Sequence, residues 1–521
     1  MPIAGPSLEK PVNLPQILKQ GLDTKPDADA LVSRRRRWTW RMLDGVSTRL
    51  AGNYLELGLA PGDRIASLMP NRTELLVHYL ACMKCGLVAV PLNYRYMAPE
   101  IDHALEVCGA RTLLAHDERR DDLAASRLAG KLPLGQIAYA DQDGHGSPSF
   151  QSLTAGEPTR EFALPKPDDP AIIFFTSGST GKPKGVCHSF ETLGWIIASA
   201  VRSFDMGPDD IMLPAGSTSH VGGHHLSMMT FAAGGRVLMA RTFDGDEILP
   251  LLREERPTRM WMLPSALYAL TRDHGARQAD FASLKACYSG GDKVSEALEK
   301  EFSALAGIAI DEDYGMTEIG VPTVTPPAAP RVGSVGPIAP GYQASVRDGA
   351  GREVATGVAG RLWIKFPGNM VGYWNRPEET AATIVDGWLD TGDVMSVDAD
   401  GYLWFHGRNK QIIIHDGSNI CPQEVEGALL EHDAVASAGV VGVQSPQHGE
   451  NVRAYVTLVA ELAPPTMQEL IRFARARVGY KAPDEIIVLN QMPLNATGKV
   501  DRVTLKRMAE KGLDGAASAA A

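Results

Sequence analysis

The segment from Thr176 to Gly185 carries the residues best suited to bind a polyphosphate, and it directly follows the apolar run 171–175. Its glycines let the backbone approach a ligand closely, its hydroxyls add hydrogen-bond donors and its lysines add positive charge. These residues are Thr176, Ser177, Gly178, Ser179, Thr180, Gly181, Lys182, Lys184 and Gly185. The spacing of a Walker A loop is missing, and a Gly/Ser linker would not join a strand while carrying two spaced lysines. The segment therefore predicts a phosphate-binding loop at the end of a strand.

Seven further motifs follow this loop and extend nearly to the end of the chain, at residues 289–292, 313–318, 372–377, 388–393, 407–408, 419–426 and 495–499. With the loop, they make the chain resemble the AMP-forming acyl-CoA synthetases of the adenylate-forming superfamily, which also contains luciferases and the adenylation domains of nonribosomal peptide synthetases. The resemblance implies that ATP and Mg²⁺ convert a carboxylic acid into an acyl-AMP with release of pyrophosphate. It further implies that the acyl group then passes to the thiol of coenzyme A (CoA) with release of AMP.

The resemblance and the residue chemistry together predict an ATP site around Tyr314, whose flat ring offers a surface for stacking of adenine. Glu318 offers an oxygen ligand for Mg²⁺, and the neighbouring Thr317 is expected to contact phosphate. Asp393 is expected to bind the ribose hydroxyls, with Arg408 close to the same sugar; a turn-capping aspartate is the alternative. By resemblance the site also includes Gly290, Gly291, Asp292, Asp313, Gly315 and Met316, and Thr180 joins Glu318 at the metal.

Lys499 lies in a glycine-containing loop near the end of the chain, where an ordinary lysine would be exposed. It matches the family's catalytic lysine, which contacts the reacting carboxylate and the α-phosphate. A desolvated ammonium there stabilises the negative charge that builds up as the carboxylate attacks phosphorus. Residues 497–502 also resemble sites where related synthetases are switched off by acetylation, which makes a lysine acetyltransferase acting on Lys499 a candidate partner.

Lys410 matches the position about which the family rotates its small domain after adenylation. That rotation removes Lys499 from the site and completes a tunnel for the pantetheine arm of CoA, so that one protein catalyses two reactions. Gly417 is expected to line this tunnel. The family often has Lys-Gly or Gly-Gly there, whereas this chain has Asp416 before the glycine and Ser418 after it.

The segment 214–225 occupies the place where relatives gate the acyl pocket, commonly with a histidine soon after a proline. His220 is the candidate gate, although its spacing from Pro214 is longer than in relatives. With His224 and His225 it has a metal-like spacing, but no acidic partner accompanies the three, and the role of the last two stays open. The predicted pocket residues are His220, Val221, Gly222, Met262 and Val321, with Met316 as a further wall. Because these positions include no arginine or lysine, we expect an uncharged acyl group, either aliphatic of short to medium length or with a single aromatic ring.

The elements that must position these residues follow an α/β pattern. From about residue 31 to 366, short apolar β-rich runs alternate with helical segments, which predicts mostly parallel sheets covered by helices. More closely spaced strands near 361–366 and 402–405 predict a smaller β subdomain, and the end of the chain predicts a small α+β domain with a capping box from Thr466 to Glu469. We expect an N-terminal ATP- and acyl-binding domain at 1–409 and a mobile C-terminal domain at 410–521.

The composition limits the classes of protein to which the chain can belong. The chain has 521 residues, 44% of them hydrophobic and 22% charged, and its formal net charge is -11. This length exceeds that of one ordinary core, and the acidic balance argues against a nucleic-acid binder. No segment is fit to cross a membrane, no signal peptide is visible and the six cysteines form no disulfide framework, so we expect a cytoplasmic protein of unspecified oligomeric state.

Two other functions compete with that of an acid–CoA ligase. An adenylation domain that loads a carrier protein usually supplies an aspartate in the pocket segment, and residues 214–225 contain none. A catalytically silent nucleotide-binding protein would not need Lys499, Glu318 and Asp393 together. The sequence therefore favours the ligase, with carrier loading as the alternative.

Overall fold

The computed structural model describes residues 2–140, 148–156, 162–176, 183–272, 274–408, 411, 413–415, 418–445, 449–460, 462–495 and 498–511. The predicted phosphate loop from Ser177 to Lys182 lies outside these residues, as do the predicted hinge residue Lys410 and the predicted tunnel residue Gly417.

Two mixed sheets form the framework of the N-terminal part. In the described ranges the first sheet has seven strands, in the spatial order Gly372–Tyr373, Lys184–Ser189, Pro170–Thr176, Val88–Pro91, Arg64–Leu68, Thr112–His116 and Gln136–Tyr139. The second has eight in the same ranges, in the order Gly320–Val324, Ile310–Met316, Ala286–Gly290, Arg259–Met262, Ile211–Ala215, Arg236–Met239, Asp29–Ser33 and Arg37–Thr39. Their central strands are parallel, and antiparallel strands lie at one edge of the first sheet and at both edges of the second, which confirms the predicted architecture.

Helices cover these sheets, because parallel strands bury both faces and need apolar partners on each side. The helices of the N-terminal part are Lys19–Thr24, Trp40–Glu56, Thr73–Cys85, Ala98–Cys108, Arg120–Ala125, Phe150–Thr154, Phe190–Ser203, Val221–Ala232, Gly245–Glu255, Pro264–Arg272, Glu296–Ala306 and Pro377–Thr383. Short 3₁₀ helices occur at Leu14–Gln16, Asp117–Arg119, Ala129–Lys131, Gln278–Phe281 and Gly479–Lys481. No helix found among the described residues is long and apolar enough to span a bilayer.

A third sheet, which is antiparallel, forms the predicted β subdomain. Its strands are Ile3–Ala4, Gln343–Arg347, Gly360–Lys365, Trp388–Val397, Tyr402–Arg408 and Gly336–Pro337 in spatial order, with Ile384–Val385 paired to Trp388–Val397. The pairing of Trp388–Val397 with Tyr402–Arg408 sets Asp393 opposite Arg408. Strand register thus brings together two residues that the sequence predicts at the ribose.

A fourth sheet and its helices make the smaller C-terminal domain. The strands are Ser418–Ile420, Ile413–His415, Gly449–Leu458 and Val435–Ser445, with Glu485–Val488 parallel to Gly449–Leu458. The helices are Pro422–Leu430, Met467–Val478 and Arg502–Lys511. The predicted capping box is present: Thr466 Oγ1 accepts from the Glu469 amide at 3.2 Å, and Glu469 Oε2 accepts from the Thr466 amide at 2.8 Å. The α/β class with a large first domain and a small α+β second domain is confirmed.

An apolar cluster in this domain supports the end of the chain. Leu505, on helix Arg502–Lys511, is fully buried and packs with Val441, Tyr455 and Met492. The partly buried Val500, which follows Lys499, packs against the same cluster. The cluster therefore fixes the chain segment from which Lys499 projects.

We predict that Leu505→Ala lowers the free energy of unfolding of the C-terminal domain by about 2–4 kcal/mol, because it removes buried methyl groups and leaves a cavity. Val503→Ala is the matched control on the same helix: its side chain is exposed, so the change should stay within about 0.5 kcal/mol. Hydrogen exchange of amides in strand Val435–Ser445 measures both. Equal effects of the two variants would contradict the assigned packing.

Candidate active site

Lys499 projects from a narrow hairpin that the local sequence closes. Leu494 and Val500 form an isolated antiparallel bridge, and the Asn495 amide donates to the Lys499 carbonyl at 2.7 Å. Asn495 Oδ1 accepts in turn from the Lys499 amide at 3.1 Å. Gly498 has a φ of 85°, a left-handed conformation that glycine adopts without steric cost. These interactions fix the backbone direction at Lys499.

The Lys499 ammonium reaches the large domain. Its Nζ donates a hydrogen bond to the carbonyl oxygen of Gly291, which follows strand Ala286–Gly290. Gly291 has a φ of 80°, and a Cβ at this position would lie 3.2 Å from Lys499 Nζ. A glycine is required here both by the backbone conformation and by the close approach of the lysine.

The pKa of Lys499 is lowered from its ordinary value, chiefly because burial desolvates the ammonium. The carboxylate of Asp292 opposes this shift, the guanidinium groups of Arg408 and Arg502 add to it, and Asp313 again opposes it. The hairpin thus places a cation within the electrostatic reach of residues from the N-terminal domain. A phosphate at this place would gain from that charge.

Asp313 lies in strand Ile310–Met316, beside the end of the strand that precedes Gly291. Its Oδ1 accepts from Trp261 Nε1 at 2.7 Å, and a Cβ on Gly290 would lie 2.6 Å from its Cγ. Burial raises the pKa of Asp313 to about 7, while the Trp261 hydrogen bond and the Lys499 charge act in the opposite direction. The carboxyl of Asp313 can therefore change protonation near neutral pH.

Tyr314 and Asp393 join the second sheet to the β subdomain. Tyr314 OH donates to Asp393 Oδ2 at 2.6 Å, and Arg408 Nε lies 3.2 Å from Asp393 Oδ1. No described residue completes a hydrogen bond of good geometry to that Oδ1, so it retains acceptor capacity. Burial raises the pKa of Asp393, and the charge of Arg408 opposes the shift. The Asp393 carboxylate therefore links the Tyr314 hydroxyl to the Arg408 guanidinium.

Glu318 lies in the turn between strands Ile310–Met316 and Gly320–Val324. Its Oε1 accepts from Tyr373 OH at 2.9 Å, and burial raises its pKa. A glycine precedes the turn at Gly315 because a Cβ there would lie 2.5 Å from the Gly320 carbonyl. The neighbouring Thr317 carbonyl accepts from His188 Nε2 at 2.8 Å. The turn therefore presents the Glu318 carboxylate, which accepts a hydrogen bond from the Tyr373 hydroxyl.

This carboxylate suits a cation that arrives with its own ligands. No group of three or more histidine, cysteine or acidic side chains that could hold a metal occurs in the described part of the chain. A single hard oxygen ligand fits Mg²⁺, which usually binds proteins through one or two carboxylates together with substrate phosphates. Glu318 therefore fits an ion that is shared with ATP.

Lys184 and Thr176 flank the predicted phosphate loop and lie opposite each other in antiparallel strands. Lys184 Nζ pairs with Glu379 and lies 4.8 Å from the centre of the Tyr373 ring. Because Tyr373 also donates to Glu318, the base of the loop is linked to the Glu318 turn. Sequence reasoning missed Tyr373, although it lies in the motif at 372–377.

His220 is the N-cap of helix Val221–Ala232. Its Nε2 accepts from Asn93 Nδ2 at 3.1 Å, and burial, followed by the charge of Lys499, lowers its pKa to about 4. His220 is therefore neutral at physiological pH and lies within the electrostatic reach of Lys499. The Asn93 contact was not predictable, because 127 residues separate the two side chains.

Trp261 lies against two glycines of the predicted acyl-pocket segment, a contact that the sequence analysis missed. A Cβ on Gly222 would lie 3.7 Å from its ring, and a Cβ on Gly216 would lie 3.0 Å from it. Trp261 packs in one apolar cluster with Val221 and Val321.

Met262 follows Trp261 in strand Arg259–Met262 but packs in a different cluster, because successive strand residues point to opposite faces. The structure does not bring Met262 together with the other predicted pocket residues. Met316 is partly buried against a third cluster, together with Tyr314. Because side chains alternate between the two faces of a strand, the sequence position alone shows that Trp261 and Met262 point to opposite sides of the sheet.

Comparisons with known proteins identify the family of this chain. The family model for AMP-binding enzymes matches residues 18–374, and the model for the C-terminal domain of AMP-binding enzymes matches residues 424–499. A feruloyl-CoA synthase of Amycolatopsis sp is 33% identical over 492 residues, covering 92% of this chain and 96% of the relative. A fatty acid–[acyl-carrier-protein] ligase of Streptomyces coeruleorubidus, ScoC, is 33% identical over 498 residues, covering 92% of this chain and 93% of the relative.

Solved structures give the same result. The crystal structure of ATP-bound MatB from Rhodopseudomonas palustris matches with a TM-score of 0.86 at 29% identity, covering 95% of this chain and 98% of that chain. The first family model alone spans more than half of the chain. The chain therefore belongs to the AMP-binding enzyme family and is an AMP-forming ligase of the acyl-CoA synthetase type.

Proposed function

We propose that this ligase adenylates a carboxylic acid whose acyl group carries no charge, and then transfers that acyl group to CoA. The observation that carries the proposal is the contact of the Lys499 ammonium with the Gly291 carbonyl. It sets a desolvated cation within the electrostatic reach of Asp292 and Asp313. A cation in this setting stabilises charge that develops during attack on a phosphorus atom.

In the first reaction, a carboxylate oxygen attacks the α-phosphorus of ATP and the bond to the pyrophosphate leaving group breaks. Tyr314 and Asp393 orient the nucleoside, with Asp393 Oδ1 available to a ribose hydroxyl. Lys499 neutralises charge on the α-phosphoryl oxygens and orients the incoming carboxylate. Glu318 would hold Mg²⁺, which neutralises charge on the phosphates when bound.

In the second reaction, the thiol of CoA attacks the acyl carbonyl and AMP leaves. We propose a domain boundary at 409/410, with Lys410 as the hinge that withdraws Lys499 and Gly417 in the loop that then meets the pantetheine arm. The separate fourth sheet and apolar clusters of the C-terminal part support its motion as a unit. A step of this kind lets one site present different residues to two reactions.

The charges around the predicted acyl-pocket residues support a substrate whose acyl group carries no charge. Lys499 is the cation that acts on His220, and it lies where the reacting carboxylate belongs. The groups that shift the pKa values of His224 and His225 are other histidines together with burial, without an arginine or lysine among them. A second buried carboxylate there would therefore lack a counter-charge among the described residues, at a cost of several kcal/mol.

The thiol of a carrier protein is the alternative acceptor to the thiol of CoA. ScoC, a relative at 33% identity, is named as a ligase of fatty acids to an acyl-carrier protein, so carrier loading is the second candidate. Acid-dependent ATP–pyrophosphate exchange tests the first reaction, and a panel of carboxylic acids identifies the substrate class. Comparison of CoA with a holo-carrier protein as acceptor then separates the two candidates: rapid AMP release is expected with CoA. Absence of exchange with every acid would contradict the proposed function.

We predict that Lys499→Ala lowers the rate of adenylation by roughly 10²–10³, or about 3–4 kcal/mol, because a preorganised cation is lost from the transition state. Transfer from synthetic acyl-AMP to CoA should be largely retained, because attack on an activated carbonyl does not use that contact. Lys506→Ala is the control, since Lys506 is an exposed lysine of the same domain, and both rates should change by less than about 0.5 kcal/mol. Normal pyrophosphate exchange in the Lys499 variant would contradict the assignment.

We predict that uncharged aliphatic acids of short to medium length, or acids with one aromatic ring, are activated in preference to dicarboxylates and amino acids. The reason is that the described residues near the predicted acyl pocket supply no counter-charge for a second ionised group. The ratio of kcat/KM values for pyrophosphate exchange measures this preference. A preference of more than about tenfold, roughly 1.4 kcal/mol, for malonate, succinate or an amino acid would refute the pocket assignment.

We predict that Lys410→Pro slows thioester formation far more than adenylation, because proline fixes a backbone dihedral at the proposed hinge. Pyrophosphate exchange should survive while acyl-CoA synthesis falls. Lys410→Ala serves as the control for loss of the side chain and should retain both activities. An equal loss of both half-reactions in the proline variant would argue against the hinge.

A further inference from the structure

Asn93 belongs to none of the sequence motifs described above, yet its side chain contacts His220 at the predicted acyl pocket. Asn93 follows strand Val88–Pro91 of the first sheet by two residues. His220 is the N-cap of helix Val221–Ala232, which follows strand Ile211–Ala215 of the second sheet. Asn93 Nδ2 lies 3.1 Å from His220 Nε2. The contact therefore joins the two sheets beside the candidate active site.

The hydrogen bonds of Asn93 fix the orientation of its amide group. The Arg95 backbone amide donates to Asn93 Oδ1 at 2.9 Å, and a backbone N–H can bond only to an acceptor. The side-chain oxygen must therefore face Arg95, which leaves the NH₂ group facing His220. Because an amide NH₂ group only donates, His220 Nε2 must accept, and it carries no proton.

The His220 ring carries its proton on the other nitrogen. Burial, followed by the charge of Lys499, lowers the pKa of His220 to about 4, so the ring is neutral at physiological pH. A neutral imidazole has one donor nitrogen and one acceptor nitrogen. Since Nε2 is the acceptor, Nδ1 carries the proton. Asn93 thus selects one of the two tautomers of the ring.

The Nδ1–H group of His220 is available to a ligand. It has no hydrogen-bond partner among the residues that the structure describes, and it does not belong to the polar atoms that are closed off from solvent. His220 as a whole is only partly buried. The donor therefore borders space that a water-sized molecule can reach.

The surroundings of this N–H group indicate its ligand. The ring lies within the electrostatic reach of Lys499, which the proposed function places at the reacting carboxylate. Two residues after His220, Gly222 lies against the Trp261 ring, where a Cβ would come within 3.7 Å. A carboxylate oxygen only accepts hydrogen bonds, so an N–H group stabilises it, whereas the lone pair of a bare ring nitrogen would repel it.

We propose that Asn93 is a positioning residue: by donating to Nε2 it keeps the proton of His220 on Nδ1, and this N–H group donates a hydrogen bond to an oxygen of the acyl group. The inference rests on the proposed function and adds a residue to its mechanism. The bound oxygen is the carboxylate oxygen that does not attack phosphorus. It becomes the carbonyl oxygen of the acyl-AMP, where negative charge builds up as the thiol attacks. Because His220 belongs to the N-terminal domain, its N–H group serves both half-reactions, unlike Lys499.

The tautomer is measured by NMR of the full-length protein labelled at its histidines with nitrogen-15, because the protonated and bare nitrogens of a neutral imidazole differ in chemical shift. The chain has 13 histidines, and the spectrum of His220→Leu identifies the signals of this ring. The wild-type protein should show a protonated Nδ1 and a bare Nε2. In Asn93→Asp, a carboxylate that only accepts replaces the donor, so Nε2 should gain the proton.

The rates are compared at a pH at which the spectrum shows a neutral ring. Asn93→Asp should lower kcat/KM for pyrophosphate exchange and for transfer from synthetic acyl-AMP to CoA, each by about tenfold to a hundredfold, the effect of losing a hydrogen bond to a charged group. In the His220→Leu background the same change should cause no further loss, because Asn93 acts through the ring.

Asn53→Asp is the matched control for the exchange of an amide for a carboxylate. Asn53 lies on helix Trp40–Glu56, and its Nδ2 donates to the Leu153 carbonyl at 2.7 Å, so it has no role at His220. Its replacement should leave the signals of the His220 ring and both rates unchanged. The tautomer of the wild-type protein tests the inference even if a variant does not fold.

A proton on Nε2 of His220 in the wild-type protein would overturn the inference while leaving the proposed function intact. Unchanged rates in Asn93→Asp after the tautomer has switched would overturn it as well. A loss confined to pyrophosphate exchange would assign the N–H group to a phosphate and would also contradict the inference. Failure of every carboxylic acid to support exchange would instead overturn the proposed function, and the inference with it.

Discussion

The candidate active site depends on bringing the Lys499 ammonium group out of water and into contact with a backbone carbonyl of the N-terminal domain. Removing Lys499 from water is unfavourable, which is why its pKa falls, and the Gly291 carbonyl and the nearby acids partly offset that cost. The hairpin can hold this position because the residues that follow it are bound to the rest of the C-terminal domain. Arg502, three residues further on, donates through Nε to Glu426 Oε1 at 3.1 Å, and the same oxygen accepts from the Val440 amide at 2.7 Å.

The acids on the opposite side of the site share one electrostatic property. Burial raises the pKa of Asp313, Asp393 and Glu318, which means that each carboxylate has given up hydration. Their partners are a tryptophan N–H, a tyrosine O–H, an arginine and a second tyrosine O–H. Substrate hydroxyls and a divalent cation would add the stabilisation that water no longer supplies. We regard this preorganisation as the physical basis for binding ATP at the junction of two sheets.

The sequence predicted the features that depend on local patterns. The strand Arg236–Met239, the capping box at Thr466 and the smaller β subdomain follow from apolar alternation and from helix-start chemistry. Contacts between distant segments were beyond such reasoning: Tyr314 bonds Asp393 across 79 positions, and Trp261 bonds Asp313 across 52. Met262 was predicted as a pocket residue without deciding which face of its strand points to the site. The burial of His224 and His225 was likewise not predictable, because it depends on tertiary packing.

The central claim is that a carboxylate oxygen becomes bonded to the α-phosphorus of ATP. Its most direct test uses a carboxylic acid labelled with oxygen-18 in both carboxylate oxygens, turned over with ATP and CoA by the wild-type protein. Attack by the carboxylate followed by cleavage at the acyl carbon leaves one labelled oxygen in the AMP that is released, and mass spectrometry of that AMP detects it. AMP without the label, or label found in inorganic phosphate together with ADP as the product, would contradict the account.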